Sequence, residues 1–146
     1  MSISKTNHEG YDDPTAYEAL CRIEEIEREA RRKYKYRPLV FICSPLAGDY
    51  KRNKQNARRY SRFAVQRGRI PFAPHLLFPQ FMDDRSQEQR NLGLFFGLVM
   101  MSKCDEMWVF GRTFSHGMRL EIAKAEVRGM RIRFFNERME EIKNGK

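Results

Sequence analysis

The chain has 146 residues, enough for one domain, and 41% apolar residues with 12% aromatics suffice to build a buried core. Lysine and arginine outnumber aspartate and glutamate by 28 to 19, which gives a formal charge of +9 and predicts a surface that attracts anions. The longest nearly apolar run, residues 92–101, is far shorter than the roughly 20 residues that span a bilayer, and the polar N-terminus lacks a signal-peptide core. We therefore expect a cytoplasmic protein with no membrane partner.

The spacing of cysteine and histidine argues against covalent or metal cross-links. Cys21, Cys43 and Cys104 are odd in number and far apart, and two of them have apolar neighbours in the sequence. This usage is typical of buried free thiols in a reducing compartment. The three histidines share no ligand spacing, and the chain has no Cys-x-x-Cys pattern, so we expect neither a metal nor a cofactor.

The first 36 residues contain a polar tail and one helix. Residues 1–12 lack periodic apolar residues, so we expect a mobile tail there. Asp13-Pro14 then provides an N-cap followed by proline at the first helical position. Apolar residues recur at helical spacing as far as Ala30, which predicts a helix of about five turns within residues 13–36.

From residue 37 onward, short apolar segments alternate with amphipathic ones. The pattern predicts strands at 39–43, 70–73, 107–110 and 130–135, helices at 53–67, 86–102 and 117–128, and a short terminal helix in the charged tail 136–146. Such alternation is typical of a parallel sheet covered by helices on both faces. We therefore expect residues 37–146 to form an α/β domain, a flavodoxin- or Rossmann-like three-layer sandwich with a mainly parallel sheet of four or five strands.

Three loops lie where open α/β sheets bind ligands, beyond the carboxyl ends of the strands. These loops are residues 44–52, 74–85 and 111–116. The first contains Ser44, Pro45 and Gly48, whose hydroxyl and backbone amides could hold an anion, or which could only turn the chain. The second contains His75, which could act in a site or serve as a structural hydrogen-bonding group.

The third loop carries the most information. Gly111 begins it, Ser115 and Gly117 open the next helix, and Met118 and Glu121 follow within that helix. Exposed amides and the Ser115 hydroxyl could bind a phosphate while the Glu121 carboxylate projects from the same helix end. The alternative is an ordinary N-cap, with Ser115 capping the helix and Glu121 on a solvated face.

The segment from Lys51 to Arg69 contains eight basic residues and no acidic one. A helix of this composition could lie along nucleic acid, but a solvated face is commoner, and no helix-turn-helix, zinc or RNP signature accompanies it. From the sequence we therefore do not expect nucleic acid as the partner. A phosphorylated ligand or a carboxylate-rich dimer partner would explain part of the charge.

Four segments follow one another along the chain: VFICSPLAGD, GRIPFAPHLLF, CDEMWVFG and SHGMRLEIAKAEVRG. Together they resemble the signature segments of the nucleoside 2-deoxyribosyltransferase-like superfamily, most closely its DUF4406-type and related phage and bacterial members of uncharacterised function. The similarity spans residues 39–135. It implies a nucleoside or nucleotide ligand and a homodimer or higher homo-oligomer, with the apolar run at 92–101 as a candidate contact helix.

The same resemblance assigns roles in the third loop. In characterised members a glutamate four residues after the helix-opening glycine attacks the anomeric carbon, and here that residue is Glu121, after Gly117. The 2'-deoxynucleoside 5'-monophosphate N-hydrolase branch has a phosphate-binding serine six residues before the glutamate, which corresponds to Ser115. Because the transferase branch usually has aspartate there, the serine favours a phosphorylated ligand.

Other positions depart from the family pattern. Transferases carry an aspartate in the turn after the third strand, where this chain has Phe110. The usual tyrosine near the end of the first strand is replaced by Phe41, and the arginine of the hydrolase's first loop falls at Ala47. Asn91, Arg90 or His75 would then have to supply a proton path.

The resemblance implies an N-glycosidase-type enzyme, a hydrolase or deoxyribosyltransferase acting on the C1'–N bond of a nucleoside or nucleoside 5'-monophosphate. The alternative is a non-catalytic nucleotide-binding sensor of the same fold. For the enzyme the catalytic candidate is Glu121. For either function the substrate- or phosphate-binding candidates are Ser44, Pro45, Gly48, His75, Arg90, Gly111, Ser115, Gly117 and Met118.

Overall fold

A computed structural model describes residues 14–83 and 85–143, and the chain divides after Tyr36 into two compact units. The first unit contains helix α1, Pro14–Lys33, whose predicted N-cap Asp13 and preceding tail lie outside the described residues. Ion pairs one turn apart, Glu24–Arg28 and Glu27–Arg31, line this helix. Among the described residues, no helix combines the length and apolarity that crossing a bilayer requires.

The second unit alternates strands and helices. Its elements in chain order are β1 (Leu39–Cys43), α2 (Tyr50–Gln66), β2 (Ile70–Phe72), α3 (Pro74–Leu77), a 3₁₀ turn (Phe78–Gln80), α4 (Gln87–Met101), β3 (Glu106–Phe110), α5 (His116–Val127), β4 (Arg131–Phe135) and β5 (Glu141–Ile142). The sheet order is β2-β1-β3-β4-β5; the first four strands are parallel and β5 is antiparallel to β4. The predicted fold class is confirmed.

The terminal helix predicted from the charged tail is wrong. The chain turns after β4, where the Asn136 Oδ1 atom accepts hydrogen bonds from the backbone N–H groups of Arg138 and Glu140, each at 2.9 Å. The chain then pairs with the free edge of β4 as β5, and Arg133 donates to both carboxylate oxygens of Glu141, at 3.0 and 2.7 Å. A short charged helix has no apolar face to bury, whereas the open strand edge offers backbone hydrogen bonds.

The two faces of the sheet bury separate cores because side chains alternate along each strand. On one face, Phe41, Cys43, Met107 and Val109 pack with residues of α4 and α5. On the other face, Val40, Ile42, Trp108, Phe110 and Phe135 pack with residues of α2, among them Tyr60, Phe63 and Ala64. We call these the α4/α5 face and the α2 face.

Side-chain caps set where the long helices begin. The Asp49 Oδ1 atom accepts from the backbone N–H of Arg52 at 3.2 Å, so α2 begins at Tyr50, three residues before the predicted start. Ser86 caps α4 and Ser115 caps α5 in the same way. Proline at the first position of α3 begins a short helix in a segment predicted to be a loop.

Candidate active site

The candidate site lies at the point where the order of the sheet reverses. The chain moves from β1 to β2 on one side of the sheet and returns across β1 to β3 on the other. The connections that leave the carboxyl ends of β1 and β3 therefore diverge and leave a crevice between them, which is where ligands of such sheets bind. The loops that follow these two strands and border the expected crevice are residues 44–49 and 111–115.

Two predicted site residues from neighbouring strands meet at this edge. Ser44 follows β1 directly and is 8% exposed, and His75 follows β2 in the first turn of α3. The Ser44 Oγ and His75 Nε2 atoms lie 2.7 Å apart, within hydrogen-bonding distance. Burial lowers the pKa of His75 to about 4, so the imidazole is neutral at pH 7 and can either donate to or accept from the serine.

The second feature is the carboxyl group of Glu121, in the second turn of α5. Its Oε2 atom is buried and, among the described residues, makes no hydrogen bond. Burial raises the pKa of Glu121 to about 8, because an ionised carboxylate is poorly stabilised away from water. The alternative that placed Glu121 on a solvated face is wrong.

The carboxyl group of Glu121 lies close to the end of β1. The pKa of the Cys43 thiol is raised well above its usual value, first by burial and second by the charge of the Glu121 carboxylate. The Cys43 Sγ atom lies 3.9 Å from the backbone carbonyl of Met118, one turn earlier in α5. Since Ser44 follows Cys43, the Ser44–His75 pair and Glu121 both lie near the carboxyl end of β1.

Ser115 is the N-cap of α5, as one of the two sequence interpretations predicted. Its Oγ atom accepts from the backbone N–H of Met118 at 3.2 Å, and the residue is exposed. A Cβ atom added to Gly117 would meet no atom within 4 Å, so the backbone there is open to an approaching ligand. The helix N-terminus therefore keeps exposed amide donors and an exposed hydroxyl beside the crevice.

Glycines and an asparagine shape the two loops that border the crevice. Gly48 and Gly111 have φ values of +97° and +100°, a region that disfavours other residues. The Asn53 side chain donates to the carbonyls of Leu46 and Ala47, at 3.1 and 2.9 Å, and fixes the loop after β1. Sequence reasoning missed Asn53, because its position in a helix gives no sign that its amide reaches back to the preceding loop.

Two predicted residues remain, and only Pro45 lies in a loop beside the crevice. Pro45 follows Ser44 in the loop after β1 and is half-buried, whereas Arg90 is exposed in the first turn of α4. At the opposite edge of the sheet, the Asp105 Oδ2 atom accepts from the backbone N–H of Leu39 at 2.8 Å. Asp105 therefore joins the starts of two strands, far from the crevice.

Two residues that depart from the superfamily pattern are core residues. Phe110 is fully buried on the α2 face, where its ring stacks on Tyr60 with ring centres 4.2 Å apart. Phe41 is buried on the α4/α5 face and packs against Phe72.

Within residues 14–83 and 85–143, no group of three or more histidine, cysteine, aspartate or glutamate side chains could hold a metal ion.

Comparison with known proteins gives a family without an assigned function. The family model described as "Domain of unknown function (DUF7768)" matches residues 38–135, which include every strand of the sheet except β5 and every candidate site residue. No curated protein matches the chain.

Proposed function

We propose that this chain, which belongs to the DUF7768 family, is an N-glycosidase-type enzyme that cleaves or transfers at the C1'–N bond of a nucleoside, preferably a nucleoside 5'-monophosphate. The observation that carries the proposal is the Glu121 carboxyl group, whose buried Oε2 atom has no hydrogen-bond partner among the described residues and whose charge acts on Cys43 at the end of β1. An unpartnered buried carboxyl is costly to stability, and such groups cluster where chemistry is performed. The resemblance to the nucleoside 2-deoxyribosyltransferase-like superfamily independently selects the same residue.

The proposed chemistry uses the carboxylate as a nucleophile. The Glu121 carboxylate attacks C1' as the C1'–N bond breaks, and the base leaves with the bonding electron pair and takes up a proton. Water then attacks C1' of the resulting glycosyl ester, which releases the sugar and regenerates the carboxylate. If a second base takes the place of water, the product is a new nucleoside and the reaction is a transfer.

Phosphate recognition would be provided by the N-terminus of α5. The exposed Ser115 hydroxyl, the amides of the first turn and the open backbone at Gly117 form one side of the crevice. Ser44, oriented by the neutral His75, forms the other side and would contact the sugar. The formal charge of +9 would favour the approach of an anionic nucleotide over a neutral nucleoside.

The test is chromatographic detection of free base from ribo- and deoxyribonucleosides and their 5'-monophosphates. We expect base release, faster with the monophosphates, and its loss by at least about a thousandfold in Glu121→Gln, since a nucleophile is removed while the shape is kept. Glu126→Gln, an exposed acidic residue of the same helix, is the matched control and should leave the rate unchanged. Equal rates in wild type and Glu121→Gln would refute the proposal.

A second candidate is a nucleotide-binding sensor without turnover. It is favoured by the burial of Phe110 in the α2-face core, since the end of β3 then presents no acidic side chain to a leaving base. Calorimetric binding of a nucleotide, weakened by Ser115→Ala and unaccompanied by release of base, would establish this function in place of the enzyme.

We further propose, from the resemblance, that the protein forms a homodimer through α4. Leu92, Phe95 and Val99 recur at spacings of three and four residues on this helix and are exposed, Phe95 to 58%. A contiguous apolar helix face of this kind is typical of a protein interface. Sedimentation velocity should show a dimer for the wild type and a monomer for Phe95→Glu; a monomeric wild type at micromolar concentration would exclude the dimer.

A further inference from the structure

Helix α2 carries a row of basic side chains with no acidic counterpart. The helix contains no aspartate or glutamate, and its basic residues occupy four consecutive turns. Five of the six are exposed and one is half-buried; together they are Lys51, Arg52, Lys54, Arg58, Arg59 and Arg62. Within residues 14–83 and 85–143, none of the six forms an ion pair.

Some basic residues elsewhere in the described chain form ion pairs. In α1, arginines pair with glutamates one turn earlier. Arg69, just beyond α2, lies 3.1 Å from the buried carboxylate of Glu106, and Arg133 binds Glu141. The α2 row is therefore a local concentration of positive charge and not an even share of the net charge.

A cavity of about 310 Å³ opens at the C-terminal half of this row. Its lining consists of Arg58, Arg59, Arg62, Phe63, Gln66 and Met139. Met139, in the turn between β4 and β5, has a φ of +63°, and the turn is held by the hydrogen bonds that Asn136 accepts. The hydrogen bonds to Asn136 therefore hold the turn that places Met139 in the cavity wall.

We propose that the exposed basic row of helix α2 binds the phosphodiester backbone of nucleic acid, with one phosphate seated between the guanidinium groups at the cavity. At a rise of 1.5 Å per residue, the row from Lys51 to Arg62 extends over roughly 16 Å, long enough to contact several successive phosphates. The row continues for about two helical turns beyond the cavity toward Lys51. A small phosphorylated molecule bound in the cavity would not contact the basic residues of those two turns. Recognition is of the backbone, independent of base sequence.

The cavity at the C-terminal half of the row is separate from the proposed active site, whereas Lys51 and Arg52 lie next to the loop 44–49 that borders that site. The α2 face and the α4/α5 face lie on opposite sides of the sheet, and Glu121 belongs to the helix that packs on the α4/α5 face. The sequence alone favoured a solvated helix, since no nucleic-acid motif accompanies the charges. The absence of ion pairs among the described residues and the cavity are what the tertiary structure adds.

The test is fluorescence anisotropy of the full chain with a labelled 20-nucleotide single strand and a labelled 20-base-pair duplex, over 50–300 mM salt. We expect binding that weakens steeply with salt. Arg58→Gln/Arg62→Gln should weaken it at least about tenfold at low salt and reduce the slope of log K against log salt by about 0.7 on single strands or 0.9 on duplex, as expected for the loss of the one phosphate contact at the cavity. The oligonucleotide whose affinity falls more in the double variant, single strand or duplex, is the form that the protein binds.

A matched double variant controls for net charge. Lys103→Gln/Lys124→Gln removes the same two charges from exposed positions away from α2 and should leave affinity and slope nearly unchanged. Equal weakening by both double variants, or no binding at 50 mM salt, would overturn the proposal. Displacement of the oligonucleotide by inorganic triphosphate at equal phosphate concentration would also overturn it, in favour of a small-anion pocket. Glu121→Gln should bind normally, which separates this result from the outcome for the active site.

Discussion

The two helical layers of the sandwich place their ionisable groups in different environments. On the α4/α5 face the Glu121 Oε2 atom is buried and makes no hydrogen bond to the described residues; burial raises the pKa of this carboxyl, so the group favours the protonated form. On the outer side of helix α2, six basic side chains form no ion pair with the described residues. A buried charge without a partner destabilises the fold, whereas an exposed one is stabilised by water and is free to attract a ligand.

The largest expected effect on stability comes from the aromatic core of the α2 face, not from the basic side chains on the outer side of helix α2. Trp108 is fully buried, with the guanidinium groups of Arg133 and Arg69 at 4.9 and 5.6 Å from its ring. Trp108→Ala should lower the free energy of unfolding by about 3–5 kcal/mol, measured by urea denaturation. The Arg58→Gln/Arg62→Gln variant should change it by no more than about 1 kcal/mol. A large loss in the arginine variant would mean that the row is structural.

The next effect is the pH dependence that Glu121 imposes on stability. Its pKa is about 8 in the fold and 4.5 when unperturbed, so the folded state retains the proton longer. The stabilisation by the protonated form is complete below pH 4.5 and is lost as the pH rises through about 8.

Glu121→Gln should therefore be more stable than the wild type at pH 8.5, and the difference between them should shrink toward pH 5. The measurement is urea unfolding of both proteins across this range, with Glu126→Gln as the control. His75, whose pKa is lowered to about 4, contributes stability that is present above pH 6.5 and lost as the pH falls, but it does so equally in both proteins. A constant difference across the range would contradict the burial of the Glu121 carboxyl.

The raised pKa of the Glu121 carboxyl group also predicts how the rate of the proposed reaction depends on pH. A nucleophilic carboxylate must be ionised, so kcat/KM should rise about tenfold per pH unit toward pH 8 and then level off. The rate of base release measured between pH 5.5 and 9.5 checks this. A rate that falls above pH 8 would instead make Glu121 a proton donor.

The smallest expected effect concerns the cap of α5. Ser115→Ala removes the acceptor of the Met118 amide and should lower the free energy of unfolding by about 1 kcal/mol. If Ser115 also binds phosphate, the same change should raise KM for a nucleoside 5'-monophosphate more than for the matching nucleoside. An equal rise in KM for both substrates would mean that Ser115 caps α5 and does not bind phosphate.

Much of the fold could be predicted because its signals are local. The apolar runs of β1 and β3, the glycine after α2 and the serines before α4 and α5 fixed the order of elements and most boundaries within a few residues. The short α3 and the terminal strand were missed. The reason is that β5 is formed by pairing with the open edge of β4 and not by any pattern within Glu141–Ile142.

By itself the sequence determined which residues have the chemistry for a site and on which loops they lie: Ser44 and His75 after two strands, Ser115 and Glu121 at the start of a helix. Only the tertiary structure decided which of them meet. Ser44 and His75, 31 positions apart, are joined because β1 and β2 are neighbours in the sheet, and Glu121 reaches Cys43 because α5 packs over the end of β1. The protonation of Glu121 depends on how much water the fold excludes around its carboxyl group, a property of packing that no local pattern of residues encodes.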